Sequence, residues 1–217
     1  MQDPARPNAM PPIGETRAGA SRDPLPPALE GIEAVAFDAF GTLVEIRDRR
    51  RAFVPLLRAL EEGARRALTH RLMREARAVD AWPEALGIAV DPAVIEEVAA
   101  RVAAEAASVA LRAPIPAVWC RLRDAGLPLA LCSNLASPYT RPLLRALPDR
   151  PEVVVFSCSV GAIKPEPAIY ARVTDGLGLP PGRVLFVGDT PRADIDGPRA
   201  AGMRALHIDA LVSALMP

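Results

Sequence analysis

A chain of 217 residues, 50% of them hydrophobic, can bury one well-formed core plus an inserted unit but is short for two independent domains. Its 26 basic residues balance 26 acidic ones, which excludes a whole-molecule field drawing it to nucleic acid or to an anionic membrane; an anion must be gripped locally, and the expected partner is a small molecule. No apolar run approaches the roughly 18 residues of a membrane helix, and the N-terminus lacks the charged-then-apolar pattern of a signal peptide. Cys120, Cys132 and Cys158 form neither CxxC pairs nor a disulfide framework, so they are expected as reduced core thiols in the cytoplasm.

In chain order, residues 1–30 are rich in proline, as in Pro11-Pro12 and Pro26-Pro27, and hold no aromatic residue; they predict a disordered tail. Residues 34–37 form a short apolar run ending at Asp38 and then Gly41, which suits a buried strand feeding a loop. Residues 47–113 break that pattern, being rich in Ala, Leu, Arg and Glu with no convincing strand. Within them, 58–79 and 95–111 predict helices. Further apolar runs at 127–132, 153–158, 184–187 and 203–208 predict strands, separated by helices over 117–125, 167–176 and 191–201. Strands alternating with helices predict an α/β fold with a Rossmann-like parallel sheet, whose ligands sit at the carboxyl ends of the strands. The expected division is a core of 31–46 and 114–217 and a helical insertion of 47–113. His207 and Asp196 are read as structural, the histidine as part of a core strand.

Four predicted strand ends each carry a different polar group: Asp38-Ala39-Phe40-Gly41-Thr42-Leu43, then Ser133-Asn134, then Lys164-Pro165, then Gly188-Asp189-Thr190 with Asp194. A carboxylate nucleophile, a hydroxyl donor, a cation and a carboxylate pair suit attack on a phosphoryl or alkyl centre. Lys164 is the one lysine among the 26 basic residues. A chain that otherwise uses arginine needs a lysine where a compact ammonium must meet an oxyanion.

In order and spacing these loops resemble the four motifs of the haloacid dehalogenase-like superfamily, over roughly residues 32–209, and the insertion is similar to that family's small helical cap of the subfamily I type. The resemblance implies that Asp38 attacks the substrate and becomes an aspartyl intermediate, with Thr42 positioning the loop. It implies that Ser133 bonds a substrate oxygen, with Asn134 beside it in the candidate catalytic set, and that Lys164 neutralises the transferring group and Asp38. It further implies that Mg²⁺ is held by Asp38, the main-chain oxygen of Phe40 and Asp189, with Asp194 as a further ligand or water-holder, hard oxygen ligands of the kind magnesium prefers.

Phe40 stands where phosphatases of the family carry a second aspartate, the acid that protonates a leaving alkoxide and the base that activates water. Its absence costs about 10²–10⁴ in rate on ordinary alkyl phosphates. The 2-haloacid dehalogenases have an aromatic residue at that place, since a halide leaves without a proton, yet they lack the carboxylates that Asp189 and Asp194 supply here. The chain combines a dehalogenase-like first motif with a phosphatase-like fourth. The reading favoured is a magnesium-dependent phosphohydrolase of restricted leaving-group range acting on a small phosphorylated molecule. The alternatives are a 2-haloacid dehalogenase and a catalytically weak protein that binds a phosphorylated ligand or a protein partner.

Overall fold

The structure, a computed structural model, describes residues 26–216. Most of the expected tail, residues 1–25, lies outside that range. Its last residues correct the expectation of a tail through residue 30: Leu29 is buried in the core, and the Arg204 guanidinium donates to the carbonyls of Ala28 and Glu30.

The first strand, β1 (Ala34–Phe37), is buried along its whole length, as expected of a strand covered on both faces. It is followed by β2 (Val44–Ile46), then helices α1 (Val54–Ala59), α2 (Glu62–Arg71), α3 (Trp82–Leu86) and α4 (Pro92–Ala107), and then β3 (Val109–Leu111). The chain continues through α5 (Ile115–Asp124), β4 (Leu129–Ser133), α6 (Thr140–Ala146), β5 (Val153–Phe156), α7 (Ser157–Val160), α8 (Pro167–Leu177) and β6 (Val184–Gly188). It ends with a π-helical turn (Pro191–Asp196), α9 (Gly197–Ala200), β7 (Arg204–His207) and α10 (Ile208–Leu215). Among the described residues no helix is long and apolar enough to cross a membrane.

Five of the strands form one parallel sheet in the order β5-β4-β1-β6-β7. From β1 the chain builds outward on one side through β4 and β5, then crosses to the other side for β6 and β7. The carboxyl ends of β4, β1 and β6 therefore flank a topological switch point, the place where open α/β sheets bind ligands. Successive β1 residues face opposite layers. Val35 and Phe37 pack with α5 and α10, where the Phe37 and Trp119 rings stack at 6.0 Å. Ala36 faces α8, where Tyr170 meets Phe186 edge-on at 5.7 Å. Truncating a buried ring such as Phe37 to alanine would cost about 3–5 kcal/mol, so the strand end that carries Asp38 is firmly anchored.

Residues 47–113 have their own small core, in which Leu56, Leu68, Trp82, Val98 and Val102 pack together. Helix α4 starts where Asp91 accepts the amide of Ala93 and Pro92 takes the first turn, a start three residues before the expected one. Three expectations are corrected here. The segment does contain a strand, since β3 pairs antiparallel with β2 (Val44↔Leu111, Ile46↔Val109) and closes the insertion at its base. The predicted helix over 58–79 is broken after Ala59 and again after Arg71. The predicted helix over 95–111 stops at Ala107. Elsewhere, the run 153–158 leaves the strand at Phe156 for a short helix, and 191–201 begins as a π turn. Cys132 and Cys158 are buried but Cys120 is exposed. His207 is exposed rather than core; its ring accepts the amide of Asp209 at 3.2 Å and caps α10.

Candidate active site

Asp38 is the first residue beyond β1, and its amide extends the ladder to β6 by donating to Val187 O at 2.9 Å. The residue is 7% exposed. Ser133, the last residue of β4, donates to Asp38 Oδ1 at 3.4 Å, and Thr42 donates to Asp38 Oδ2 at 3.3 Å. Lys164 reaches in from the loop before α8. Its Nζ lies 2.5 Å from Asp38 Oδ1 and 2.7 Å from Asp194 Oδ1, with the ring of Phe186 beneath it at 5.3 Å. Asp189 follows β6, and carboxylate oxygens of Asp38, Asp189 and Asp194 all lie within 4.8 Å of one another.

Glycines make this crowding feasible. A Cβ at Gly41, whose φ is +95°, would sit 2.2 Å from the Asp189 carboxylate, and one at Gly188 would sit 2.3 Å from the Asp194 carboxyl carbon. No other residue lets the two carboxylates close over these strand ends. Asp194 is further fixed by its Oδ2, which accepts Thr190 N at 2.9 Å, and the turn that carries it is tied to α8 by Tyr170 donating to Ala193 O at 2.6 Å.

Burial pushes the Asp38 carboxyl above its ordinary range; the Lys164 ammonium opposes that rise and the Asp194 carboxylate adds to it. Burial would likewise lower the Lys164 ammonium, but Asp38, with Cys132 and Asp194 beside it, outweighs that and pushes it up to about 12, so it stays a cation. Three carboxylates against one ammonium leave the pocket short of positive charge, and their oxygens are the hard donors that suit a divalent ion. The donor set therefore fits magnesium.

Asn134 is placed differently from the others. Its amide nitrogen donates to Lys164 O at 3.0 Å and its oxygen accepts Lys164 N at 2.8 Å. It grips the backbone that presents Lys164, and among the described residues it forms no hydrogen bond to Asp38. Phe40 is half-buried, and its ring meets that of Tyr139 edge-on at 6.1 Å.

The structure adds residues that the sequence did not single out. Tyr139 donates to Glu105 Oε2, and Glu105 Oε1 accepts Arg50 N at 2.8 Å, so a buried carboxylate of α4 joins the insertion to the wall beside Phe40. Glu105 lies on the face that buries Val98 and Val102, and a carboxylate at helical spacing on an apolar face was a readable sign of a buried partner. Arg74 forms a bidentate pair with Glu166 at 2.6 and 3.0 Å, and Ser137 donates to Arg77 O at 2.6 Å. These two ties hold the 72–78 turn of the insertion against the loops that follow Ser133 and Lys164. Nothing in the sequence marks either pair.

Comparison with known proteins agrees with this geometry. Stretches of 89 and 83 residues are similar to a phosphoserine phosphatase of Thermus thermophilus (35% identity, 40% of this chain) and a phosphoglycolate phosphatase of Escherichia coli (40% identity, 37% of this chain). The chain spans about a third of the length of these relatives, 36% and 32%. Among solved structures, a HAD family enzyme of Bacteroides thetaiotaomicron in complex with magnesium and inorganic phosphate superposes with a TM-score of 0.57 over 81% of this chain and 93% of that one. At 18% identity that likeness speaks to the fold. The family model of haloacid dehalogenase-like hydrolases matches residues 32–202, most of the chain, and with the α/β fold, the ordered strand ends and the clustered side chains it shows that the protein belongs to the haloacid dehalogenase-like hydrolases.

Proposed function

We propose that this hydrolase is a magnesium-dependent phosphohydrolase that works through an aspartyl phosphate on Asp38 and favours substrates whose leaving group departs without a proton. The observation that carries the reading is the convergence of Asp38, Asp189 and Asp194 within 4.8 Å around the buried Lys164 ammonium. A halide-displacing site has no use for so many carboxylates, which are costly to bury without a cation.

Asp38, Asp189, Asp194 and the Phe40 carbonyl would hold the magnesium ion, which when bound supplies charge neutralisation for the transferring phosphoryl group. An Asp38 oxygen attacks phosphorus, the bond to the leaving oxygen breaks, and that oxygen departs with the electron pair. Lys164 and Ser133 balance the charge on Asp38 and on the phosphoryl oxygens, and Asn134 keeps Lys164 in place. Water then attacks the aspartyl phosphate, inorganic phosphate leaves and the Asp38 carboxylate is restored. Thr42 steadies Asp38 through both steps. The segment 47–113 acts as a cap that excludes bulk water and carries substrate specificity, and the phosphatases among the relatives support a small phosphorylated substrate.

Phe40 sets the range. With no proton donor at that place, an alkoxide must leave as such, a penalty of roughly 3–5 kcal/mol that an acyl or aryl phosphate largely avoids. The test is release of inorganic phosphate from acyl, aryl and alkyl phosphates with and without magnesium. Release from acyl and aryl phosphates that needs magnesium and is lost in Asp38→Asn supports the reading. Chloride release from a 2-chloroalkanoate without phosphate release from any substrate would replace it.

A further inference from the structure

We propose that Arg112 is a positioning residue for the nucleophile, holding the turn after Asp38 by three successive carbonyls; this deepens the phosphohydrolase reading of the same site and rests on it only for the activity readout. The turn is built around one acceptor. Ala39 O receives the amides of Thr42 at 3.3 Å, Leu43 at 2.8 Å and Val44 at 3.0 Å, while Gly41 N donates to Val44 O at 2.9 Å. That arrangement leaves the carbonyls of Gly41, Thr42 and Leu43 without partners inside the turn. Thr42 and Leu43 are fully buried, and carbonyls there need donors.

Arg112 supplies them all from 71 residues beyond Gly41. Its Nη1 donates to Gly41 O and, at 3.2 Å, to Thr42 O; its own amide donates to Leu43 O at 3.0 Å. Among the described residues no carboxylate pairs with Arg112, so the guanidinium is committed to these carbonyls. The neighbouring carbonyl of Phe40 accepts no hydrogen bond among the described residues. One residue thus ties down the turn on three carbonyls and leaves free the one that the metal reading requires.

The chemistry asks for arginine here. A guanidinium stays charged at any working pH, and its several N–H groups allow one side chain to serve two adjacent carbonyls while the backbone serves a third. A lysine at 112 would keep the charge and the backbone bond, but its ammonium is a flexible, strongly hydrated point charge in place of a planar, pre-organised guanidinium. Among the described residues Arg112 forms no hydrogen bond to Asp38; it acts through the backbone between Asp38 and Leu43.

The experiment compares the full chain as wild type, Arg112→Lys and Arg112→Ala by amide hydrogen exchange and by kinetics on an aryl phosphate. Exchange at Leu43 and Val44 should rise on the order of 10-fold in Arg112→Ala, and less in Arg112→Lys, while β4 and β6 are unaltered. In the same order kcat should fall, by about 10–100-fold for the alanine variant as for other supporting groups around a site, with KM little changed. Low-millimolar guanidinium ion should restore part of kcat in Arg112→Ala and leave wild type unaffected, which a general loss of stability would not permit. Unchanged exchange in the turn would overturn the proposal, as would a rise in KM at constant kcat, which would put Arg112 on the substrate. If wild type releases no phosphate, the phosphohydrolase reading fails while the exchange data still decide on Arg112. If Arg112→Ala does not fold, Arg112→Lys carries both readouts.

Discussion

On the proposed function, replacing Phe40 by aspartate should supply the proton donor whose absence is proposed to set the leaving-group range. The ceiling is the contribution of a well-placed acid, about 10²–10⁴ in rate or roughly 3–5 kcal/mol of barrier. The structure sets what the change costs. The edge-on contact between Phe40 and Tyr139 at 6.1 Å is lost, a pair worth about 0.5–1.5 kcal/mol beyond its burial. A new carboxylate would also join Asp38, Asp189 and Asp194, which already crowd within 4.8 Å, so that without magnesium its pKa rises and the fold is strained. Tyr139 is no ready donor to it, because its hydroxyl is committed to Glu105. A gain of about 10–100-fold on an alkyl phosphate, below the ceiling, is the expected result. The assay is initial-rate phosphate release from an alkyl and an aryl phosphate at saturating magnesium. The alkyl substrate should gain more, since an aryl oxide leaves with little help. Equal gains would assign the new carboxylate to water activation. No gain on either, with the fold intact and magnesium bound, would refute the claim that position 40 limits the enzyme.

Lys164→Arg should abolish most phosphatase activity, about 10²–10³-fold, because the larger guanidinium cannot occupy the place of an ammonium held at 2.5 and 2.7 Å between two carboxylates; retained kcat would show that any cation serves. Magnesium should raise the melting temperature of wild type by mass action and do so far less in Asp189→Asn; equal shifts in both would remove Asp189 from the metal site. Glu166 is held down to about 2 by its hydrogen bonds with Arg74 and then with Ile163 N, against an ordinary 4.5. Its folded pKa being depressed, the stabilisation is present above 4.5 and is lost as pH falls toward 2. The melting temperatures of wild type and Arg74→Ala should therefore differ most above that window and converge below it, and a difference independent of pH would contradict the pairing; the effect is small, because Glu166 is 43% exposed.

The sheet was readable because strands buried on both faces appear as uninterrupted apolar runs, and 34–37 and 184–187 match the observed strands closely. The clustering of the candidate residues was readable for the same reason: a polar residue that ends such a run must emerge at the carboxyl ends of the strands, which is how Asp38, Ser133 and Asp189 stand out. The lone lysine marked Lys164 without any structure. The insertion was harder, because Ala, Leu, Arg and Glu favour helix throughout and conceal a break that is fixed from outside. The 72–78 turn exists where Arg74 reaches Glu166 and Ser137 reaches Arg77 O, contacts between residues far apart in sequence. The three-residue strands β2 and β3 were hidden because each makes sense only beside the other. The two bonds of Asn134 to the Lys164 backbone were not legible, since they depend on a loop 30 residues away lying across from it. Arg112, in a chain so rich in arginine, carries no mark of its grip on the nucleophile turn.

The most direct test of the account is whether Asp38 carries phosphate during turnover. Wild-type protein mixed with magnesium and an acyl phosphate, quenched in acid within a turnover and digested, should show the mass of one added phosphoryl group on the peptide containing Asp38, absent in Asp38→Asn. Phosphate release with no such adduct at any quench time, or an adduct on another residue, would contradict it.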